Sequence, residues 1–161
     1  METTDPALHC QEVAAFASVF LGRAPGVVWP EHDHPACGPL ADESDRELLA
    51  EGLSDLLGRP VRTVCSEQAP LSVRAARAPC DTLVHQISGS GHWTLLPDLG
   101  ERREREETPP IEGPVRFQLR TTEVLYIPPN YSWVIQPVVQ PSTYLFTFIG
   151  DRPPVTEPAA E

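Results

Sequence analysis

The sequence predicts a mainly β protein: an antiparallel barrel or sandwich with a layer of helices ahead of it. Three observations carry that expectation. From residue 61 onward the chain runs in short apolar or alternating segments bounded by turn residues, the pattern of closely spaced strands. Before residue 61 stand two amphipathic stretches with helix start and stop signals. Finally, 19 prolines against 10 glycines suit short elements and stiff turns better than an all-helical bundle. A chain of 161 residues can bury the core of one domain. We expect that domain over 1–150, with a helical layer over 1–60, barrel strands over 61–150 and a loose proline-rich tail over 151–161.

The elements follow in order. Asp5 can cap a first helix with Pro6 in its first turn, and Leu8, Val13, Phe16, Val19 and Phe20 form an apolar stripe ending at Gly22. A proline-rich loop, "WPEHDHPACGP", comes next. A second helix begins at "SDRE", where Ser44 and Glu47 have capping-box spacing; it carries Leu48, Leu49, Leu53, Leu56 and Leu57 and stops at "GRP". The strand candidates are "VRTVCSE", "DTLVHQIS", "HWTLLP", "VRFQLR", "EVLYIPP", "YSWVIQPV" and "TYLFTFIG". Packing helices on an antiparallel barrel protects the strand edges by closure.

Charge and composition exclude several functions. A formal charge of -11 repels polyphosphate, and no basic patch offsets it, so no nucleic-acid partner is expected. The run "ERREREE", Glu101 to Glu107, mixes signs and reads as a solvated loop. Cys10, Cys37, Cys65 and Cys80 lack the spacing of a zinc site or a disulfide framework. The N-terminus has neither a basic n-region nor an apolar h-region, and no apolar run approaches the roughly 20 residues of a membrane span. A cytoplasmic protein with reduced thiols and no membrane partner is the expectation.

Two segments carry a family resemblance. "DTLVHQISGSGHWTLLP" resembles the HD-x-F-x-x-Q-x-x-G-x-(Lys/Arg)-x-Trp stretch of the cupin-type JmjC oxygenases, the group that includes the ribosomal-protein hydroxylases, with Asp81, Gln86, Gly89 and Trp93 in register. "LRTTEVLYIPPNYSWVIQP" resembles that group's L-x-P-G-D-x-L-Y-x-P-x-G-x-x-H segment through Leu119, Glu123, Leu125, Tyr126 and Pro128. The resemblance covers about residues 44 to 150 and implies a cupin/JmjC-like double-stranded β-helix, a jelly-roll barrel with N-terminal helices.

Enzymes of that group hold Fe(II) with an H-x-D pair and a later histidine, leaving positions for 2-oxoglutarate and oxygen. The resemblance puts the pair at Ala76 and Ala78, the closing histidine at Trp133, and the basic residue that pairs with 2-oxoglutarate at Gly91. None of these can ligate: methyl groups have no lone pair, and an indole N–H only donates. Iron-dependent hydroxylation is therefore not expected, and neither is a cofactor. Such exchanges would make an apolar cavity in which Trp133, with Tyr126, Tyr131, Trp93 and Gln86 as neighbours, either lines a ligand pocket or plugs the barrel mouth.

Other residues invite chemistry. Gly26, His32 and His34 mimic the G-x5-H-x-H opening of the cupin metal motif, without its glutamate and between two prolines. They offer an alternative metal site, against an exposed loop. His85 and His92 fall on the strand pair expected to border the cavity; His85 and Tyr131 are the candidate acid/base residues. Cys80 is a candidate nucleophile or a small buried hydrophobe.

Three function classes follow. One is a metal-free pseudoenzyme binding a small molecule, a peptide or a partner protein, for instance in specialised metabolism. The second is a cofactor-independent cyclase, isomerase or epimerase, and the third a cupin with metal at His32 and His34. A homodimer and pairing with an active homologue both remain open.

Overall fold

The first helix starts where Asp5 accepts a hydrogen bond from the Leu8 amide at 3.1 Å, with proline at the first helical position. The computed structural model describes residues 3–69, 71–97, 114–129, 131–138 and 140–150. Its elements are β1 (Thr3–Thr4), α1 (Pro6–Phe20), β2 (Gly26–Val28), β3 (His32–Asp33), a 3-10 turn over Pro35–Cys37, α2 (Glu43–Leu57) and β4 (Val61–Gln68). The rest are β5 (Arg74–Arg77), β6 (Asp81–Ser88), β7 (Ser90–Pro97), β8 (Val115–Arg120), β9 (Val124–Ile127), β10 (Tyr131–Ile135) and β11 (Ser142–Ile149). The charge run over 101–107 and the tail over 151–161 lie outside the described residues. No described helix is long and apolar enough to cross a membrane.

Eight of the strands divide between two antiparallel sheets: β9-β6-β11-β4, extended by β2 beside β9, and β5-β10-β7-β8. Following the chain from β4 to β11, each connection passes to the other sheet except that from β7 to β8. This is the jelly-roll order, in which two Greek keys fold a sheet pair around one interior. A short parallel pair, β1 with β3, ties the N-terminus to the loop ahead of α2.

The packing has three layers. Both helices cover the outer face of the five-stranded sheet, burying Val13, Ala14, Leu49 and Leu53 against Leu83, Ile87, Val124 and Leu145. A second core between the sheets gathers Val84, Trp93, Leu95, Leu125, Ile127, Trp133, Tyr144 and Phe146. Strand β6 lies between both cores, so six consecutive residues, Thr82 to Ile87, are buried. A strand covered on both faces reads as a continuous rather than alternating run.

Several sequence expectations are corrected. The buried face of α1 is His9, Cys10, Val13, Ala14 and Ala17, whereas Leu8 and Val19 are exposed. The small and polar members of that face escape a search for large apolar residues. α2 is capped by Asp42, not Ser44: Asp42 Oδ1 accepts from the Asp45 amide at 2.9 Å and Asp45 Oδ2 accepts from the Asp42 amide at 3.1 Å. Of its leucines, Leu48 and Leu56 are exposed. The helix does end at Gly58, whose φ of 68° is left-handed backbone suited to glycine. Strands β2 and β5 were absent from the expected set; "RAAR" lacks β-branched and aromatic residues, and its pairing with β10 supplies what propensity does not.

Candidate functional site

Alternation along β10 turns Tyr131, Trp133 and Ile135 inward, and the strand register sets Trp133 opposite Ala76 on β5 and Leu95 on β7. The indole of Trp133 lies 5.2 Å from the Trp93 ring and stacks on Phe146 at 5.7 Å. The Arg74 guanidinium stands 6.0 Å from the ring centroids of both Trp133 and Phe146, a cation–π arrangement at the rim. Trp133 is only 5% exposed and Ala78 is buried with it.

Behind these rings lies a polar group. Tyr144, edge-on to Trp93 at 5.5 Å, donates its hydroxyl proton to Gln68 Oε1 at 2.6 Å. Burial raises the Tyr144 phenol above its ordinary range, so it stays protonated. Gln86 donates through Nε2 to the Ser88 carbonyl at 2.7 Å, while its Oε1 and the Trp93 indole N–H are buried without a protein partner. A Cβ at Gly91 would fall 2.9 Å from Trp93 Nε1 and 3.0 Å from the Tyr144 hydroxyl, so this position admits no side chain without displacing one of them.

A second constellation lies on the other face of the same sheet. Because side chains alternate, His85 points toward the helices while Gln86 points between the sheets. Nε2 of His85 stands 3.3 Å from Nε2 of His9 on α1. The Nδ1–H of His9 donates to the His32 carbonyl at 2.7 Å, which leaves its Nε2 lone pair facing His85. His34, whose ring lies 5.6 Å from that of His9, accepts the Ala36 amide on Nδ1 at 3.0 Å and so carries its proton on Nε2. That Nε2 and His85 Nδ1 are buried without a protein partner. Cys37, at the end of the 3-10 turn, completes a group in which ligand atoms of His9, Cys37 and His85 all lie within 4.8 Å of one another.

Electrostatics follow burial. Desolvation lowers the pKa of His9, of His34 to about 4, and of His85 well below the ordinary histidine value, so these imidazoles are neutral at pH 7. Burial pushes the Cys37 thiol up to about 12. Outside the cluster, the His32 Nδ1–H donates to Glu12 Oε1 at 2.5 Å, and this bond raises the His32 pKa. Glu12 Oε2 accepts the Glu31 amide at 2.7 Å, so the Glu12, Glu31 and His32 group is held by bonds of its own.

The structure thus sorts the expected residues. Ala76, Ala78, Gln86, Trp93, Tyr131 and Trp133 belong to the space between the sheets. Tyr126 does not: it faces the helices, accepts the Gly22 amide at 2.7 Å and donates to Asp81 Oδ1 at 2.5 Å. His85 also faces away from Tyr131, so the two do not share a site. His32 and His34 separate as well, the first going to Glu12 and the second into the histidine cluster, although His32 lies on β3 and the backbone at His34 is extended. His92 is exposed, and Cys80, partly buried, has its thiol pKa raised by burial. His9 and Cys37 were not among the expected residues; the only signal was a histidine on the inner face of α1, legible once that face is known.

No family model matches this chain, and no curated protein does. Among solved structures it is similar to RmlC from Streptococcus suis in complex with dTDP-D-xylose, at 14% identity and TM-score 0.47, covering 61% of this chain and 47% of that one. It is also similar to the Drosophila melanogaster CENP-C cupin domain, at 19% identity and TM-score 0.42, covering 55% of this chain and 59% of that one. A third is Lactobacillus farciminis oxalate decarboxylase in its formate complex, at 14% identity and TM-score 0.45, covering 60% and 27%. In each case the match spans less than two thirds of the other protein's length.

Proposed function

We propose that this protein is a degenerate JmjC-like member of the cupin proteins whose interior, lacking iron ligands, serves as a metal-independent binding module for a small uncharged molecule or a side chain of a partner. The observation that carries this reading is the cross-strand pairing of Ala76 with Trp133. The resemblance picks ligand positions nearly sixty residues apart in the chain, and they meet across one strand pair, as a metal triad requires, but with a methyl group and an indole in place of lone pairs. At Gly91, where the resemblance puts the basic residue, the surrounding rings leave no room for a basic side chain.

The polar lining suggests the guest. An unpartnered buried donor or acceptor costs about 1–3 kcal/mol, so the Trp93 N–H and Gln86 Oε1 favour a molecule offering one acceptor and one donor. A cofactor-independent cyclase, isomerase or epimerase built in this interior would draw on Tyr131 with Gln86 and Tyr144, since His85 lies on the other face.

The test has two arms. Purified protein supplied with Fe(II), ascorbate, oxygen and 2-oxoglutarate should show no decarboxylation above a blank; oxygen-dependent turnover would overturn the reading. A thermal-shift screen of small amides, lactams and nucleobases should find a ligand that raises Tm for the wild type and not for Gln86→Leu. A screen with no such difference counts against the binding role.

A further inference from the structure

We propose that His9, Cys37 and His85 form a binding site for a zinc-class divalent transition metal, between the helical layer and the five-stranded sheet. It lies across that sheet from Trp133 and uses neither His32 nor the JmjC-like ligand positions. Its ligand atoms lie within 4.8 Å of one another, and the two Nε2 atoms are 3.3 Å apart. For a tetrahedral ion with metal–nitrogen bonds of about 2.0–2.1 Å, two nitrogen ligands stand about 3.3–3.4 Å from each other. The spacing observed is that of two ligands on one ion.

The surroundings of His9 have the form such a site needs. A metal-bound histidine ordinarily donates its other ring N–H to a carbonyl or carboxylate, which fixes the tautomer and aims the lone pair. His9 does so through Nδ1 to the His32 carbonyl at 2.7 Å, whereas His85, bound through Nε2, would carry its proton on Nδ1, which has no protein partner. A hydrogen bond from His85 to His9 would satisfy one proton only and would leave a cluster of three neutral imidazoles and a thiol among apolar side chains. His34 presents a buried, unpartnered Nε2–H beside this group, a donor rather than a ligand, suited to a water or anion in the fourth coordination position.

The donor set selects the ion. Two imidazoles and a thiolate are borderline-soft ligands that suit zinc or cobalt(II) and reject calcium and magnesium, which take oxygen. Coordination replaces the Cys37 S–H bond by a metal–sulfur bond and releases that proton to solvent. The ligands come from α1, the turn after β3, and β6, so one ion would fasten both N-terminal elements to the sheet.

The full chain, stripped with a chelator and dialysed, is titrated with cobalt(II). One equivalent should develop the intense visible bands of a tetrahedral ion and a thiolate-to-cobalt charge-transfer band in the near ultraviolet, and zinc should bleach both. Cys37→Ser should abolish the charge-transfer band and weaken binding at least tenfold, while Cys65→Ser, at an exposed position on β4, should leave both unchanged. Absence of a thiolate band in the wild type overturns the proposal, as does a band that survives Cys37→Ser. The wild-type spectrum decides the matter even if Cys37→Ser fails to fold.

Discussion

His85 and Gln86 are neighbours in the chain, yet their side chains serve different layers: the imidazole sits 3.3 Å from His9 beneath α1, and the amide donates to Ser88 at 2.7 Å between the sheets. One strand, buried on both faces, thereby separates an aromatic interior from a histidine cluster. Each side makes its own predictions.

If Trp133 fills space between the sheets, truncating it leaves a cavity. Trp133→Ala should destabilise the protein by about 3–5 kcal/mol in urea denaturation, through lost burial and lost contact with Trp93 and Phe146. A cost below about 1 kcal/mol would mean that the ring is not packed as described.

Placing a basic residue at Gly91 should not create binding of 2-oxoglutarate. Gly91→Lys must displace Trp93 or Tyr144, and overpacking of this kind costs about 1–3 kcal/mol. Calorimetry with 2-oxoglutarate should detect no binding to the variant; a measurable affinity would contradict the crowding at this position.

The histidine cluster sets an acid limit in metal-free protein. His9, His34 and His85 are depressed when folded, so between their unfolded value of 6.5 and the folded value, about 4 for His34, the unfolded chain binds more protons than the folded one. Their contribution is complete above about pH 6.5 and is lost as pH falls toward 4. His32 runs the other way, since its bond to Glu12 raises its pKa and favours folding at lower pH. Urea midpoints measured from pH 7.5 to 4 should fall, and His34→Gln should flatten the decline; a midpoint independent of pH over this range would refute the account.

The cap of α2 gives a simple check on the register. Asp42→Ala should cost about 0.5–2 kcal/mol because it removes one half of a reciprocal cap, whereas Ser44→Ala, inside the helix, should change stability by no more than a few tenths. Equal effects, or a reversed order, would place the helix start elsewhere.

The strands with β-branched and aromatic residues were legible from the chain, and so was the proline and glycine punctuation around them: "DTLVHQIS" is β6 over the same residues, and "VRFQLR" is β8. β5 was not, because "RAAR" becomes a strand only through the partner that β10 provides. The face of α1 was legible in part: Val13, Phe16 and Phe20 of the expected stripe pack on the core, but its buried side also carries His9, Cys10 and alanines, while Leu8 and Val19 look outward. A hydropathy stripe weights size, and so it passes over the histidine, cysteine and alanines that share this interface with Val13, Phe16 and Phe20.

From the sequence alone came the mainly β architecture, the helices ahead of it, and the absence of ligating atoms at Ala76, Ala78 and Trp133, since residue type decides whether a lone pair exists. Only the tertiary structure decided that Ala76 faces Trp133, that Tyr126 turns to the helices, and that His9 and Cys37 meet His85. Composition states which atoms a chain possesses. Which of them come within bonding distance depends on strand register and on which face a layer covers, and those are set by contacts between residues far apart along the chain.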